Sequence, residues 1–200
     1  MKKLILQIMM LAFLLTGCNR GADISGNIDD SFETGAQQAT VAPTLKPEES
    51  NFRNLKWGMT LEEVIETEGA GYDKVNDTTI RYSRIREEDY PADAEYEFAD
   101  DKLSGATFYI QPGYTDNNEY VESYTALIQK FTQRYGEPAG SEKAWGRENM
   151  DDKPDQYAQA VLDGNLIWRT EWKTEATQIK LVLSRRNKEI CIGIKYAPAA

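Results

Sequence analysis

Four glutamates crowd one short stretch of the chain, and their type and spacing could support chemistry. Glu62, Glu63, Glu66 and Glu68 follow Thr60 within eight residues. Carboxylates that converge can bind a divalent cation or divide the acid and base roles of a hydrolysis between them. If the stretch is helical, however, its side chains spread around the solvent face instead of converging. This favours a structural role.

The residues around the first glutamates are typical of a helix start. Thr60 and Glu63 match the S/T-x-x-E capping box, in which each side chain accepts a hydrogen bond from the other residue's backbone N–H. Met59 and Val64 stand at the two positions of a hydrophobic staple. We expect Trp57 to cover one end of the core.

Three other features carry residue types that bind ligands or react. The loop 151–155, Asp-Asp-Lys-Pro-Asp, offers oxygen ligands for Ca²⁺ but lacks the glycine and the bidentate glutamate of an EF-hand loop, which favours a solvated loop. Trp145, which we place in the loop after the second predicted helix, could stack on a sugar or cover the edge of the core. Cys191 has no basic pocket to activate its thiol. Its position in the alternation of apolar residues puts Cys191 on the outer face of a predicted strand, where we expect it to be exposed.

The composition excludes several classes of function. The 200 residues include no histidine, and 23 Lys and Arg face 33 Asp and Glu, for a net charge of −10. A Ser-His-Asp or Cys-His site cannot be built from this chain alone, and the commonest metal ligand is missing. An acidic chain is also a poor match for nucleic acid. We therefore expect no nucleic-acid partner. Because each candidate site above has a better structural interpretation, we also expect no metal, no cofactor and a non-enzymatic role.

The first residues are typical of a secretory signal. Lys2 and Lys3 precede an apolar run from Leu4 to Leu15, which is too short for a comfortable membrane span. The sequence Leu-Thr-Gly-Cys at 15–18 closely resembles the lipobox of bacterial lipoproteins. The resemblance implies a signal peptide over 1–17, a lipid on Cys18 and an extracytoplasmic protein anchored to a bacterial membrane. A plain signal peptide with a chance cysteine is the alternative.

Between the lipobox and the folded body lies a segment without hydrophobic periodicity. Residues 18–50 are rich in small and polar side chains, which predicts a flexible tether. Residues 51–200 form a body of about 150 residues, which is long enough for a single core.

Two helix patterns and several strand patterns alternate along this body. The second helix pattern is an aromatic stripe that Asp116 or Asn117 can cap and Gly136 can end. It consists of Tyr120, Tyr124, Leu127, Ile128, Phe131 and Tyr135. Apolar residues alternate with polar ones after each helix, as in half-buried antiparallel strands. The clearest examples are Ala94-Tyr96-Phe98, Ala106-Phe108-Ile110, Ile179-Leu181-Leu183 and Ile190-Ile192-Ile194-Tyr196.

This order predicts an α+β fold in two layers, helices on one face of an antiparallel sheet. A helix followed by strands occurs twice, over about 51–112 and about 113–200. The two copies share a pattern and no appreciable identity.

Short motifs in both units resemble known envelope proteins. Met59-Thr60, before the first helix, and Gly136-Glu137-Pro138, after the second, are similar to the modules shared by β-lactamase inhibitory protein and the small outer-membrane-assembly lipoproteins. Trp57-Gly58 and the ranges 135–138, 164–168 and 177–181 resemble a set of uncharacterised bacterial lipoproteins. The resemblance implies the tandem helix-plus-sheet fold and no chemistry. The first helix lacks the proline that follows it in the shorter modules.

The outer face of the predicted sheet is the candidate binding surface. Its inner face is apolar and must be covered by the helices, whereas the outer face mixes charges with an aromatic and small apolar groups, as protein interfaces do. We predict that another envelope protein docks there, with Tyr109, Ile167 and Arg169 among the contacts. The alternative is an envelope polysaccharide-binding protein or hydrolase that uses paired carboxylates and tryptophans.

Overall fold

The computed structural model describes residues 50–146 and 153–199 of the chain. These residues belong to the unit Val41–Ala200. The predicted signal peptide, Cys18 and the predicted tether up to residue 49 lie outside the described residues, and so do Asp151 and Asp152.

The first helix, α1 (Leu61–Glu68), begins at the predicted capping box. The Glu63 backbone N–H donates to Thr60 Oγ1 at 3.3 Å, and the Thr60 N–H donates to Glu63 Oε2 at 2.7 Å. Gly69 ends the helix with φ 102°, a conformation that residues with a Cβ rarely adopt. The structural interpretation of this stretch is confirmed.

Four strands follow α1 and four more follow the second helix. The first set is β1 (Tyr72–Asn76), β2 (Thr79–Glu87), β3 (Tyr90–Ala99) and β4 (Lys102–Ile110). After the helix α2 (Asn118–Tyr135) come β5 (Gly140–Trp145), the short helix α3 (Tyr157–Leu162), β6 (Leu166–Lys173), β7 (Thr177–Arg186) and β8 (Glu189–Pro198). All eight strands form one antiparallel sheet in the order β1-β2-β3-β4-β8-β7-β6-β5. The described fold is therefore α+β, with one eight-stranded sheet and three α-helices.

The helices pack on one face of this sheet, which we call the inner face. The Tyr124 hydroxyl of α2 lies 3.1 Å from Thr170 Oγ1 on β6. The α3 ring of Tyr157 packs against Trp168 with centroids 5.5 Å apart. At the end of α1, the Gly69 carbonyl accepts a hydrogen bond from Tyr82 of β2 at 2.6 Å. Most of the alternating apolar residues of the strands are buried beneath the helices, as their spacing predicts, whereas Phe98 is only partly buried.

Three elements differ from the sequence predictions. β1 and α3 were not predicted, and α3 interrupts the second run of strands, so the second half is not a plain helix-then-strands unit. Trp145 was placed in a loop, but it ends the edge strand β5, and its ring packs partly buried against Tyr157 with centroids 6.2 Å apart. It therefore covers the edge of the core, which was one of the two roles considered for it.

Candidate functional site

The opposite face of the sheet, which we call the outer face, carries the three predicted contact residues. Tyr109 pairs with Gly193 of β8, Gly193 with Val182 of β7, and Val182 with Arg169 of β6. Tyr109 and Arg169 thus stand in one row across the sheet, three strands apart. Ile167 lies two residues before Arg169 on the same strand and face. All three are partly exposed.

A neighbouring row of paired residues, which we call the central row, crosses all eight strands. It holds most of the charge at the centre of this face. It runs, in order, Asp73, Arg81, Glu95, Thr107, Lys195, Lys180, Glu171 and Gly140. Two ion pairs lie within it. Arg81 Nε donates to Glu95 Oε1 at 3.1 Å, and Lys180 Nζ lies 2.7 Å from Glu171 Oε1.

One side of the outer face is mainly acidic and the other mainly basic, although Arg81 and Glu171 carry the opposite sign within their sides. Asp93, Glu95 and Glu97 follow one another on β3, each two residues apart and on the outer face. The strands on the other side of the centre present Lys195, Lys180 and Arg169 together with other basic residues. A face with one mainly acidic and one mainly basic side is suited to a charged protein partner.

The prediction that Cys191 is exposed is wrong. The residue is 4% exposed, and burial raises the pKa of its thiol from 9.0 to about 11. No second layer is needed to bury it, because the outer face covers it with its own side chains. Arg186 of β7 reaches Tyr109 of β4, with its Cζ 3.9 Å from the ring centre, and Cys191 stands on the strand between them.

The carboxylates of the α1 region converge only in part, and they do so on an arginine. Glu62, Glu63 and Glu66 are exposed around the helix. Glu68 accepts hydrogen bonds from Arg53 Nε at 2.8 Å and Nη2 at 3.0 Å.

The second carboxylate bound by this arginine belongs to a buried strand residue. Glu87, at the end of β2, accepts a bond from Arg53 Nη1 at 2.6 Å and one from the Tyr196 hydroxyl at 3.3 Å. Glu87 is 5% exposed, and burial raises the pKa of its carboxyl although Arg53 acts in the opposite direction. Arg53 therefore binds both carboxylates with its single positive charge, and the arrangement reads as a partly buried ion-pair cluster.

The tryptophans form their hydrogen bonds elsewhere, although Trp57 packs on Phe52, which stacks on Tyr196 of this cluster. Trp57 donates its indole N–H to Thr177 Oγ1 at 3.0 Å, and Trp172 donates to the Gly136 carbonyl at 3.1 Å. Trp145 and Trp168 pack against the α3 residue Tyr157. The hollow of about 430 Å³ that opens at Glu87 and Arg53 has no tryptophan in its lining. The described residues thus do not bring a carboxylate pair and a tryptophan into one pocket.

A second hollow, of about 390 Å³, lies beside α1 at the edge of the sheet. Leu61, Tyr72, Ile80 and Phe98 give it an apolar floor. The predicted contact residues do not line it. Over residues 50–146 and 153–199, no group of three or more His, Cys, Asp or Glu side chains is placed to hold a metal ion. No helix in the same part of the chain is long and apolar enough to cross a membrane.

Sequence reasoning missed several residues of the outer face. Nothing in the sequence showed that Arg81 and Glu171 share a row with Glu95 and Lys180. Gly193 has no side chain, so no pattern marked it as part of this face. The missing information was the strand order, which places β8 beside β4.

Comparisons with known proteins add no relative to this description. No protein-family model matches the chain, and neither the curated proteins nor the solved structures give a match.

Proposed function

We propose that this chain is a lipid-anchored, non-enzymatic protein of the bacterial envelope that binds another protein through the outer face of its sheet. One observation carries the proposal. The helices described here all pack on the inner face, while the outer face displays both signs of charge, the half-buried ring of Tyr109 and the partly exposed side chains of Ile167 and Val182. A surface that mixes charged, aromatic and small apolar groups suits protein recognition.

The alternative, a polysaccharide-binding protein or hydrolase, has weaker support. Retaining glycosidases need two free carboxylates about 5–5.5 Å apart. Glu68 and Glu87 are both held by Arg53, and a tryptophan that could stack on a sugar is absent from the lining of their hollow. We therefore keep the non-enzymatic role as the proposal.

We also propose that the two halves of the body, residues 51–112 and 113–200 with approximate bounds, are related units. Each begins with a helix and supplies four consecutive strands, and β4 and β8, the last strand of each unit, meet at the centre of the sheet. The helix α3 is then an insertion in the second unit. This arrangement agrees with the resemblance to tandem helix-plus-sheet lipoproteins, to which we propose the chain is related.

The anchor is tested by the Cys18→Ala variant. Because a thioether to lipid needs the Cys18 sulfur, this variant should leave the membrane fraction while the unchanged chain stays in it. Unchanged association of the variant with membranes would reject the lipid anchor and leave the binding surface unaffected.

The binding surface is tested by capture of partners from envelopes of the source bacterium on the immobilised full chain in detergent. We compare the unchanged chain with Tyr109→Ala and Arg169→Glu, which alter the outer face. Lys188→Glu is the matched control, because it makes a like charge change in the exposed turn between β7 and β8. The proposal expects a protein that both outer-face variants lose and the control retains. A set of captured proteins that no variant alters would reject it.

A further inference from the structure

We infer that the outer face docks on the outer face of a second copy of this chain, about a two-fold axis that runs parallel to the strands between β4 and β8. This inference rests on the proposed function, because it names the partner of the same surface. A two-fold interface presents one patch to itself, so each residue must suit the residue that the axis places opposite it.

The axis brings opposite charges together along the central row. It lays β4 over the partner's β8, β3 over its β7 and β2 over its β6, because these strands are equally far from the centre of the sheet. Glu95 then faces a Lys180, and Arg81 faces a Glu171. Both contacts join unlike charges, and symmetry repeats each of them.

The same charges cannot meet within one chain. Glu95 and Lys180 are three strands apart, which is roughly 14 Å at the usual strand spacing. Arg81 and Glu171 are five strands apart, roughly 24 Å. Within one chain Arg81 pairs with Glu95 and Lys180 with Glu171, so contacts between these two ion pairs arise only when a second molecule lies over the first.

The centre of the face fits the same axis. The next row places Tyr109 of β4 over Gly193 of the second copy's β8. A Cβ built at Gly193 would meet only the Val182 carbonyl oxygen, at 4.0 Å. Gly193 therefore presents no side chain to a ring laid over it, while Arg186 of the ring's own chain packs on Tyr109 at 3.9 Å.

Two lysines of the single chain are neighbours of like charge. Lys180 and Lys195 stand directly opposite each other on β7 and β8, and like charges in such a pair are destabilising. Lys180 is offset by Glu171, whereas Lys195 has no ion pair among the residues of the structure described here. Glu95 of a second copy, laid over Lys180, would add negative charge beside both lysines.

The face is large enough for such an interface. Six strands of about eight residues cover roughly 29 Å by 26 Å, or about 750 Å². A standard interface buries about 800 Å² on each partner.

Charge exchange between two variants tests this geometry. Glu95→Lys places lysine over Lys180, and Lys180→Glu places glutamate over Glu95, so each variant alone should dimerise at least about tenfold more weakly. In an equimolar mixture, both symmetry-related contacts of the mixed dimer are again between unlike charges. The mixture should therefore restore association, measured by sedimentation velocity on the full chain in detergent. Two chains that merely share a micelle would not respond to these charges.

A second pair of variants keeps the test valid if a variant of the first pair does not fold. Arg81→Glu and Glu171→Lys should behave in the same way, alone and mixed, and thermal unfolding shows whether each variant is folded. An unchanged chain that stays monomeric at high protein concentration, or folded variants whose mixture associates no better than either alone, would overturn the inference. If an envelope protein is still captured through Tyr109 and Arg169 in that case, the proposed function stands and only the identity of the partner is wrong.

Discussion

Arg186 Cζ lies 3.9 Å from the centre of the Tyr109 ring, so an arginine on β7 covers an aromatic side chain on β4, two strands away. The strand between them carries Cys191, whose thiol is buried although it points to the outer face. A cation over an aromatic ring is worth about 0.5–1 kcal/mol at exposed sites. This contact links the two halves of the sheet on its outer face.

The contact predicts how Cys191 reacts. In the folded protein its thiol should label with a maleimide far more slowly than after unfolding, because it is buried and its pKa is raised to about 11. Arg186→Ala should speed labelling of the folded protein about tenfold or more. The control variant Arg185→Ala, which changes the neighbouring exposed arginine, should leave the labelling rate unchanged. Rapid labelling of the unchanged folded protein would show that the thiol is open.

The same thiol predicts a loss of stability at alkaline pH. The folded-state pKa is raised above the unfolded value near 9, so the unfolded chain releases its proton first, and the free energy of unfolding falls as the pH rises from about 9 to 11. The loss amounts to at most about 2.7 kcal/mol, at about 1.36 kcal/mol for each pKa unit. Urea unfolding of the unchanged chain and of Cys191→Ala, at pH 8 and pH 10.5, measures it. The variant should lose less stability between the two pH values, and equal losses would contradict the burial of the thiol.

Much of the fold follows from local patterns. The capping box at Thr60, the stripe through Tyr124 and Phe131, and the alternating strands around Tyr96 and Ile194 depend on neighbours in the chain, which the sequence displays directly. The strand β1 was not predicted from the sequence, because Tyr72–Asn76 is an exposed edge strand with no apolar alternation. An alternation of apolar and polar residues is visible only where one face of a strand is buried.

The outer face was harder to predict, because its properties depend on which strands are neighbours. Cys191 was assigned to the correct face by its phase. Its burial depends on Arg186 crossing β8 to reach Tyr109, and no pattern within β8 reports that. The alternation of charge along the central row likewise becomes visible only when β4 and β8 are placed side by side.

Arg53 is predicted to be a strong contributor to stability. Arg53→Ala leaves the buried Glu87 carboxylate without its cation and should lower the free energy of unfolding by about 3 kcal/mol at neutral pH. The deficit should shrink as the pH falls, because a protonated Glu87 no longer needs a cation. Denaturant unfolding at pH 7 and pH 4.5 measures both effects, and adding Glu87→Gln to the variant should recover part of the loss. A deficit that grows toward low pH would contradict the role assigned to Arg53.

Thr60→Ala removes one half of the capping box and should cost about 1 kcal/mol, since the Glu63 N–H loses its acceptor. Thr60→Ser keeps a hydroxyl and serves as the control, with nearly unchanged stability in thermal unfolding. We expect partner binding by Thr60→Ala to be normal once its stability is allowed for. A fully stable variant that had lost its partner would show that this stretch is itself a binding site.

If the outer face is a docking surface, a thiol placed on it should be protected in membranes. In a Cys191→Ala background, Lys195→Cys places a thiol at the centre of the outer face, and Gln129→Cys places one on the exposed side of α2. We expect the Lys195→Cys variant to label at least about tenfold more slowly in isolated membranes than as dilute purified protein, and the Gln129→Cys variant to label equally in both. Equal labelling of the Lys195→Cys variant in the two settings would mean that nothing docks there and that the outer face is not a docking surface.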